Sequence, residues 1–199
     1  MKHQFILASA SQIRANLLRA AGLKIQTEPA EIDEGEIQRA MLAEAAPPDD
    51  IAEALANAKA RKIAGKWPEA LVLGCDQVAA LGHQILTKPK SKEDAVRQLS
   101  ALGGTTHSLF SAAVLYQGDQ LLWRHVGRVD MHMHPLTPAY IDAYVVRNWH
   151  SIRHAVGCYK LEEEGVRLFS AVEGDYFHVL GLPMIELLSY LADRGEIER

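Results

Sequence analysis

The run Ala70-Leu71-Val72-Leu73-Gly74-Cys75 is apolar and then breaks at Asp76-Gln77. A short unbroken apolar segment of this kind has the pattern of a buried strand, as the central strands of α/β proteins do. Open α/β sheets bind their ligands in the crevice at the carboxyl ends of central strands. Asp76, read as standing at such an end, can hold a cation or take a proton from water. The plainer alternative is a strand-terminal Asp that caps the next turn. Lys88-Pro89 follows a dozen positions later.

Around this strand the chain alternates strand and helix patterns. Phe5-Ile6-Leu7-Ala8 is followed by Ser9-Ala10-Ser11 and by Ile13, Leu17, Leu18 and Ala21 at helical spacing, with Ser9 or Ser11 as cap and Gly22 as terminator. A second strand over residues 24–27 leads into the acidic loop Glu31-Ile32-Asp33-Glu34. Asp49 or Asp50 can cap an alanine-rich helix over residues 51–64, which carries Lys59. Ser91 and Asp94 open a helix over residues 92–102 that stops at Gly103-Gly104. Alternating segments over 107–116 and 121–134 flank a Gln117-Gly118-Asp119 turn and predict antiparallel pairing. Thr137-Pro138 starts another helix, and a strand over 166–171, a turn at 173–175 and a helix over 183–191 complete the pattern. The expectation is one α/β unit over residues 1–199, a mixed sheet with flanking helices folded into two lobes around a central cleft.

Bulk properties narrow the function. With 25 acidic and 21 basic residues, formal charge −4, the chain offers no basic field to hold a nucleic-acid polymer by counterion release. Its two cysteines, Cys75 and Cys158, lie in apolar contexts far apart and read as reduced, buried thiols. No run of roughly 18 apolar residues occurs, and the first apolar stretch is too short for a secretion signal. The expected setting is the cytosol, away from membranes.

Two constellations can carry chemistry. In the turn Ser9-Ala10-Ser11-Gln12-Ile13-Arg14, helix-start amides, two hydroxyls and an arginine can hold a phosphate, although an ordinary capping turn with a surface arginine has the same pattern. The second is Glu34, Asp76, Lys59 and Lys88. Two carboxylates can share a hard divalent cation with phosphate oxygens while lysines neutralise a polyphosphate, provided these scattered residues converge. Scattered Lys and Glu are ordinarily solvated.

The motifs LASASQIRANLLRAAGL, IDE, ALANAKA, LGCDQV, TKPKSKEDAVRQLSALGGTTH and EGDYFHVLGLP occur in that order. Together they resemble the Maf family of nucleoside triphosphate pyrophosphatases, once described as septum formation inhibitors, over nearly the whole chain. The resemblance implies a Maf/inosine triphosphatase-like fold and a homodimer. It implies hydrolysis between the α- and β-phosphates of a modified or pyrimidine nucleoside triphosphate, with Mg²⁺, Mn²⁺ or Co²⁺. By position Asp76 would be the general base and Glu34 would help it hold the metal, while Ser9, Arg14, Lys59 and Lys88 would bind phosphates. The residue types suit this chemistry, since cations stabilise developing charge and a carboxylate activates the nucleophile.

The resemblance also bears on the base. The dTTP/UTP branch typically reads GADT at Gly74-Cys75-Asp76-Gln77 and GIQG at Lys160-Leu161-Glu162-Glu163, whereas the 7-methyl-GTP branch has a glutamine after the aspartate and a glutamate at the later site. Gln77 and Glu162 match the second branch. A carboxylate can accept from a guanine N1–H and 2-amino group. The family's serine-proline turn is Ser11-Gln12 here, and Ile13 replaces the tryptophan of the 7-methyl-GTP branch, so the stacking face for a cationic purine is missing. The alternatives are a dTTP/UTP pyrophosphatase, or a nucleotide-binding regulator of cell division that has lost efficient hydrolysis.

Histidine spacing raises a separate reading. His132 with His134 on one strand face, and His150 with His154 at i, i+4, have spacings that metal ligands use, but without an evident third ligand they read as exposed or interface side chains. Trp67, Trp123 and Trp149 are dispersed and read as packing residues.

Overall fold

The computed structural model describes residues 2–198. In chain order it contains β1 (Phe5–Leu7), α1 (Gln12–Ala20), β2 (Ile25–Thr27), α2 (Glu34–Ala43), α3 (Pro48–Ala64), β3 (Leu71–Leu81), β4 (Gln84–Leu86), α4 (Lys92–Leu102), β5 (Thr106–Gln117), β6 (Gln120–Met133), α5 (Pro138–Ile152), β7 (Phe169–Glu173), α6 (Tyr176–Val179) and α7 (Met184–Asp193). Two 3₁₀ turns, Val156–Cys158 and Glu164–Leu168, lie between α5 and β7. The strands form a mixed sheet in the order β2-β1-β3-β5-β6-β7, with β4 paired to β3. β1 runs parallel to both β2 and β3, whereas β4 on β3 and β7 on β6 are antiparallel. The α/β class and the mixed sheet with flanking helices are as expected.

The chain forms two compact units. The first comprises Met1–Gln77, Phe110–Gly127 and Tyr176–Arg199, and the second Val78–Leu109 and Arg128–Asp175. In the first unit the period-2 alternation of strands sorts side chains onto two faces. Phe5, Leu7, Leu71, Leu73 and Cys75 bury against Ala15 and Leu18 of α1 and against Leu187 and Leu191 of α7. The opposite face of β3 carries Val72, Gly74 and Asp76 and is covered by α3. At about 25 cal/mol per Å² of apolar surface, burying each of Phe5, Leu7, Leu71, Leu73, Leu187 and Leu191 stabilises the unit by roughly 1.5–3 kcal/mol. In the second unit α4 packs on α5. There the His107 imidazole bonds to the Tyr159 hydroxyl at 2.7 Å, and both rings pack on Phe169.

Several boundaries differ from the sequence reading. Asp76 does not end its strand: β3 continues through Asp76-Gln77 to Leu81 because the apolar run resumes at Val78. The segment read as an acidic loop becomes α2 from Glu34 onward, capped by Asp33, whose carboxylate accepts from the Glu36 amide at 2.8 Å. No residue of α2 is fully buried, and its half-buried apolar positions Ile37 and Met41 are too few to mark a helix by periodicity. α3 begins at Pro48 with no side-chain cap, and Asp49 and Asp50 sit in its first turn, where negative charge complements the helix dipole. Residues 164–168 take a 3₁₀ turn, so the last strand starts at Phe169.

Candidate functional site

Gly74 sets the distance between β3 and α3. A Cβ at this position would lie 2.1 Å from the Ala56 carbonyl oxygen and 2.6 Å from the Ala60 amide nitrogen, so the helix backbone rests directly on the strand. Asp76 lies two residues further along the same strand face, and Lys59 precedes Ala60 in the helix. The close approach brings them together: Lys59 Nζ lies 2.6 Å from Asp76 Oδ1 and donates a hydrogen bond to it. The same ammonium is 2.7 Å from Glu34 Oε1 at the start of α2. Lys59 and Asp76 are buried, at 7% and 9% exposure, while the Glu34 side chain is half exposed. The negative field of two carboxylates therefore converges on one point, where a cation already sits.

The turn after β1 is anchored to the same unit. Ser11 caps α1, its hydroxyl accepting from the Arg14 amide at 3.5 Å, and the Ser9 hydroxyl accepts from the Ser11 amide at 3.2 Å. Arg14 is buried, and its guanidinium donates to the Gly181 carbonyl at 2.8 Å, the Cys75 carbonyl at 3.0 Å and the Ser9 hydroxyl at 3.4 Å. The surface-arginine alternative is thereby removed. Gly181 adopts φ +85°, and a Cβ there would lie 2.8 Å from Arg14 Nη2, so both backbone and space call for glycine. Burial pushes the neighbouring Cys75 thiol up to about 12, against the pull of Arg14 and Lys59, which leaves it protonated and inert.

Gln77 follows Asp76 on the alternate face. Its amide nitrogen makes 3.0 Å contacts with the Ser111 hydroxyl and the carbonyls of His178 and Val179, and Ser111 itself donates to the His178 carbonyl at 2.6 Å. These bonds hold the backbone of α6 to the centre of the sheet. Ile13 is half-buried in the first turn of α1.

Ser9, Ile13, Arg14, Glu34, Lys59, Asp76 and Gln77 all belong to the first unit, and Lys59, Asp76 and Glu34 are in direct contact. Lys88 and Glu162 belong to the second unit, both exposed: Lys88 between β4 and α4, Glu162 just before the second 3₁₀ turn. Sequence reasoning passed over Gly74 and Gly181 as site residues. The signal available was a glycine within an apolar strand, which commonly marks a close backbone approach.

Fold and site together define an α/β protein with a buried lysine bridging two carboxylates beside a serine-capped strand-to-helix turn. The chain belongs to the Maf-like protein family, whose model matches residues 4–194. It is 55% identical, over the full length of both chains, to a nucleoside triphosphate pyrophosphatase of Ruegeria sp. (strain TM1040). It is 56% identical, again over the full length of both, to a protein of the same description from Roseobacter denitrificans. A 7-methyl-GTP pyrophosphatase of Rhizobium etli is 44% identical over 198 residues, all of both chains to the nearest percent. Among solved structures, a HAM1 protein from Coxiella burnetii is similar with TM-score 0.40 and 14% identity, over 66% of this chain and 73% of that one.

Proposed function

We propose that this chain is a nucleoside triphosphate pyrophosphatase, a hydrolase acting on acid anhydrides, that cleaves between the α- and β-phosphates and prefers 7-methyl-GTP to dTTP and UTP. The observation that carries the reaction is the buried Lys59 ammonium held by the buried Asp76 and the half-exposed Glu34. Asp76 takes the proton of the attacking water, the oxygen adds at the α-phosphorus, and pyrophosphate leaves. Lys59 meets the negative charge that builds on the phosphate oxygens. Ser9 and Arg14 supply phosphate contacts within the first unit, with Arg14 also holding the turn in shape.

The donor set suits a divalent cation: Glu34 and Asp76 offer hard carboxylate oxygens, and their converging charge already attracts an ammonium. When bound by Glu34 and Asp76, Mg²⁺, Mn²⁺ or Co²⁺ would supply further neutralisation of phosphate charge. The base preference is supported by Gln77 and Glu162, which match the 7-methyl-GTP branch, and by the Rhizobium etli relative's description. The functional form is taken to be a homodimer in the cytosol.

A panel of canonical and modified nucleoside triphosphates, assayed for monophosphate and pyrophosphate together, tests this reading. Turnover of 7-methyl-GTP above dTTP and UTP is expected. The reverse order would contradict the base assignment, and tight binding without pyrophosphate release would favour a regulator that has lost hydrolysis.

A further inference from the structure

The first unit contains a second polar cluster that the proposed reaction does not use. Among the described residues, the one group of three or more His, Cys, Asp or Glu side chains with ligand atoms all within 4.8 Å of one another is His125, His178 and Glu186. They come from β6, α6 and α7. His178 Nε2 lies 3.2 Å from Glu186 Oε2, and His125 Nε2 lies 3.7 Å from Glu186 Oε1. The two imidazole rings stand 5.8 Å apart at 44°. A tetrahedral Zn²⁺ with bonds of about 2.0–2.2 Å separates its ligand atoms by roughly 3.3–3.6 Å. The cluster is therefore near the required span.

Its surroundings hold the three side chains in place. Gly127 makes room for His178, since a Cβ there would lie 2.1 Å from the imidazole. His125 stacks on Trp123 with an interplanar angle of 9°, and Trp123 stacks on Tyr190 of α7. His178 is buried, whereas His125 and Glu186 each keep about a third of their side-chain surface in contact with solvent, so an ion has access.

We propose that His125, His178 and Glu186 form a binding site for a divalent transition metal of the Zn²⁺ class, separate from the Glu34–Asp76 pair. Two imidazole nitrogens select against Mg²⁺ and Ca²⁺, which take oxygen ligands. With three protein ligands the fourth position is left for water. The ion would tie β6, α6 and α7 together, and through the His178 carbonyl, which accepts from Gln77 and Ser111, the tie reaches the strand that carries Asp76.

The test is calorimetric titration of the full chain, stripped with a chelator, with Zn²⁺ in the presence of excess Mg²⁺. One tight equivalent is expected, with a melting temperature that rises with Zn²⁺. Asp76→Asn should retain it. Glu186→Gln and His125→Gln, chosen because both side chains are partly exposed, should each weaken it by more than the roughly 10- to 100-fold that loss of an outer-shell partner costs. Substitution with Co²⁺ should give ligand-field absorption bands that both variants lose. No tight Zn²⁺ equivalent in the wild type, its retention in both variants, or its loss in Asp76→Asn would overturn the proposal.

Discussion

Lys59 Nζ lies 2.6 Å from Asp76 Oδ1, both residues buried, with the helix of one packed directly on the strand of the other. Taking two charges from water costs several kcal/mol, so such a pair holds only where each partner compensates the other. The arrangement concentrates opposite charges at one point instead of spreading them over the surface. A substrate with a polyphosphate chain would exploit that charge.

Lys59→Met should destabilise the protein by about 3 kcal/mol, the low end for breaking a buried pair because Glu34 is half exposed and remains hydrated. The urea midpoint measures it. An unchanged midpoint would mean that Asp76 has another compensating partner.

Gly74→Ala places a methyl group where the backbone of α3 now lies. Overpacking of this kind costs about 1–3 kcal/mol. Activity should fall by more than the stability loss explains, because pushing α3 outward draws Lys59 from Asp76. Full turnover in a stable Gly74→Ala protein would show that the close approach is unrelated to catalysis.

His107 gives the fold an acid-sensitive group. Burial pushes its imidazole down to about 4 from 6.5, with only a partial opposing pull from Asp130, and its Nδ1 is buried without a hydrogen-bond partner. The folded state keeps the ring neutral where the unfolded chain takes up a proton. Stability from this group is therefore complete above about pH 6.5 and is lost as pH falls toward 4, about 3 kcal/mol in all. Denaturant midpoints across that range should fall for the wild type and fall less for His107→Gln. Equal slopes would remove His107 from the acid response.

Much of the fold was legible because its elements carry period and punctuation. The 70–75 run, the alanine-rich helix and the Gln117-Gly118-Asp119 turn all became the elements their patterns indicated. Asp76 looked like a strand terminus because charge interrupts an apolar run; the run resumes at Val78 and carries the strand on, and the lysine from another element compensates the buried charge. The start of α2 at Glu34 was hidden because Ile37 and Met41 alone give too short an apolar period to mark a helix.

The site was legible as residue types, but its geometry was not. Family resemblance nominated Lys59, Asp76 and Glu34, and the structure brings them into contact. Gln77 was read as a specificity residue, yet the structure engages its amide nitrogen with Ser111 and the backbone of 178–179, a link between residues about a hundred positions apart that no local pattern records. The histidine pairs at regular spacing, His132 with His134 and His150 with His154, lie outside the one cluster of the described residues with ligand geometry. His125, His178 and Glu186 come from three elements and share no spacing motif.

In the proposed reaction Asp76 takes the proton of the water that attacks the α-phosphorus. Pyrophosphate release by Asp76→Asn from the preferred triphosphate tests it most directly, with circular dichroism confirming the fold. Loss of a general base predicts a fall in kcat of about 10²–10⁴-fold with substrate binding retained. Turnover equal to wild type would remove Asp76 from the reaction.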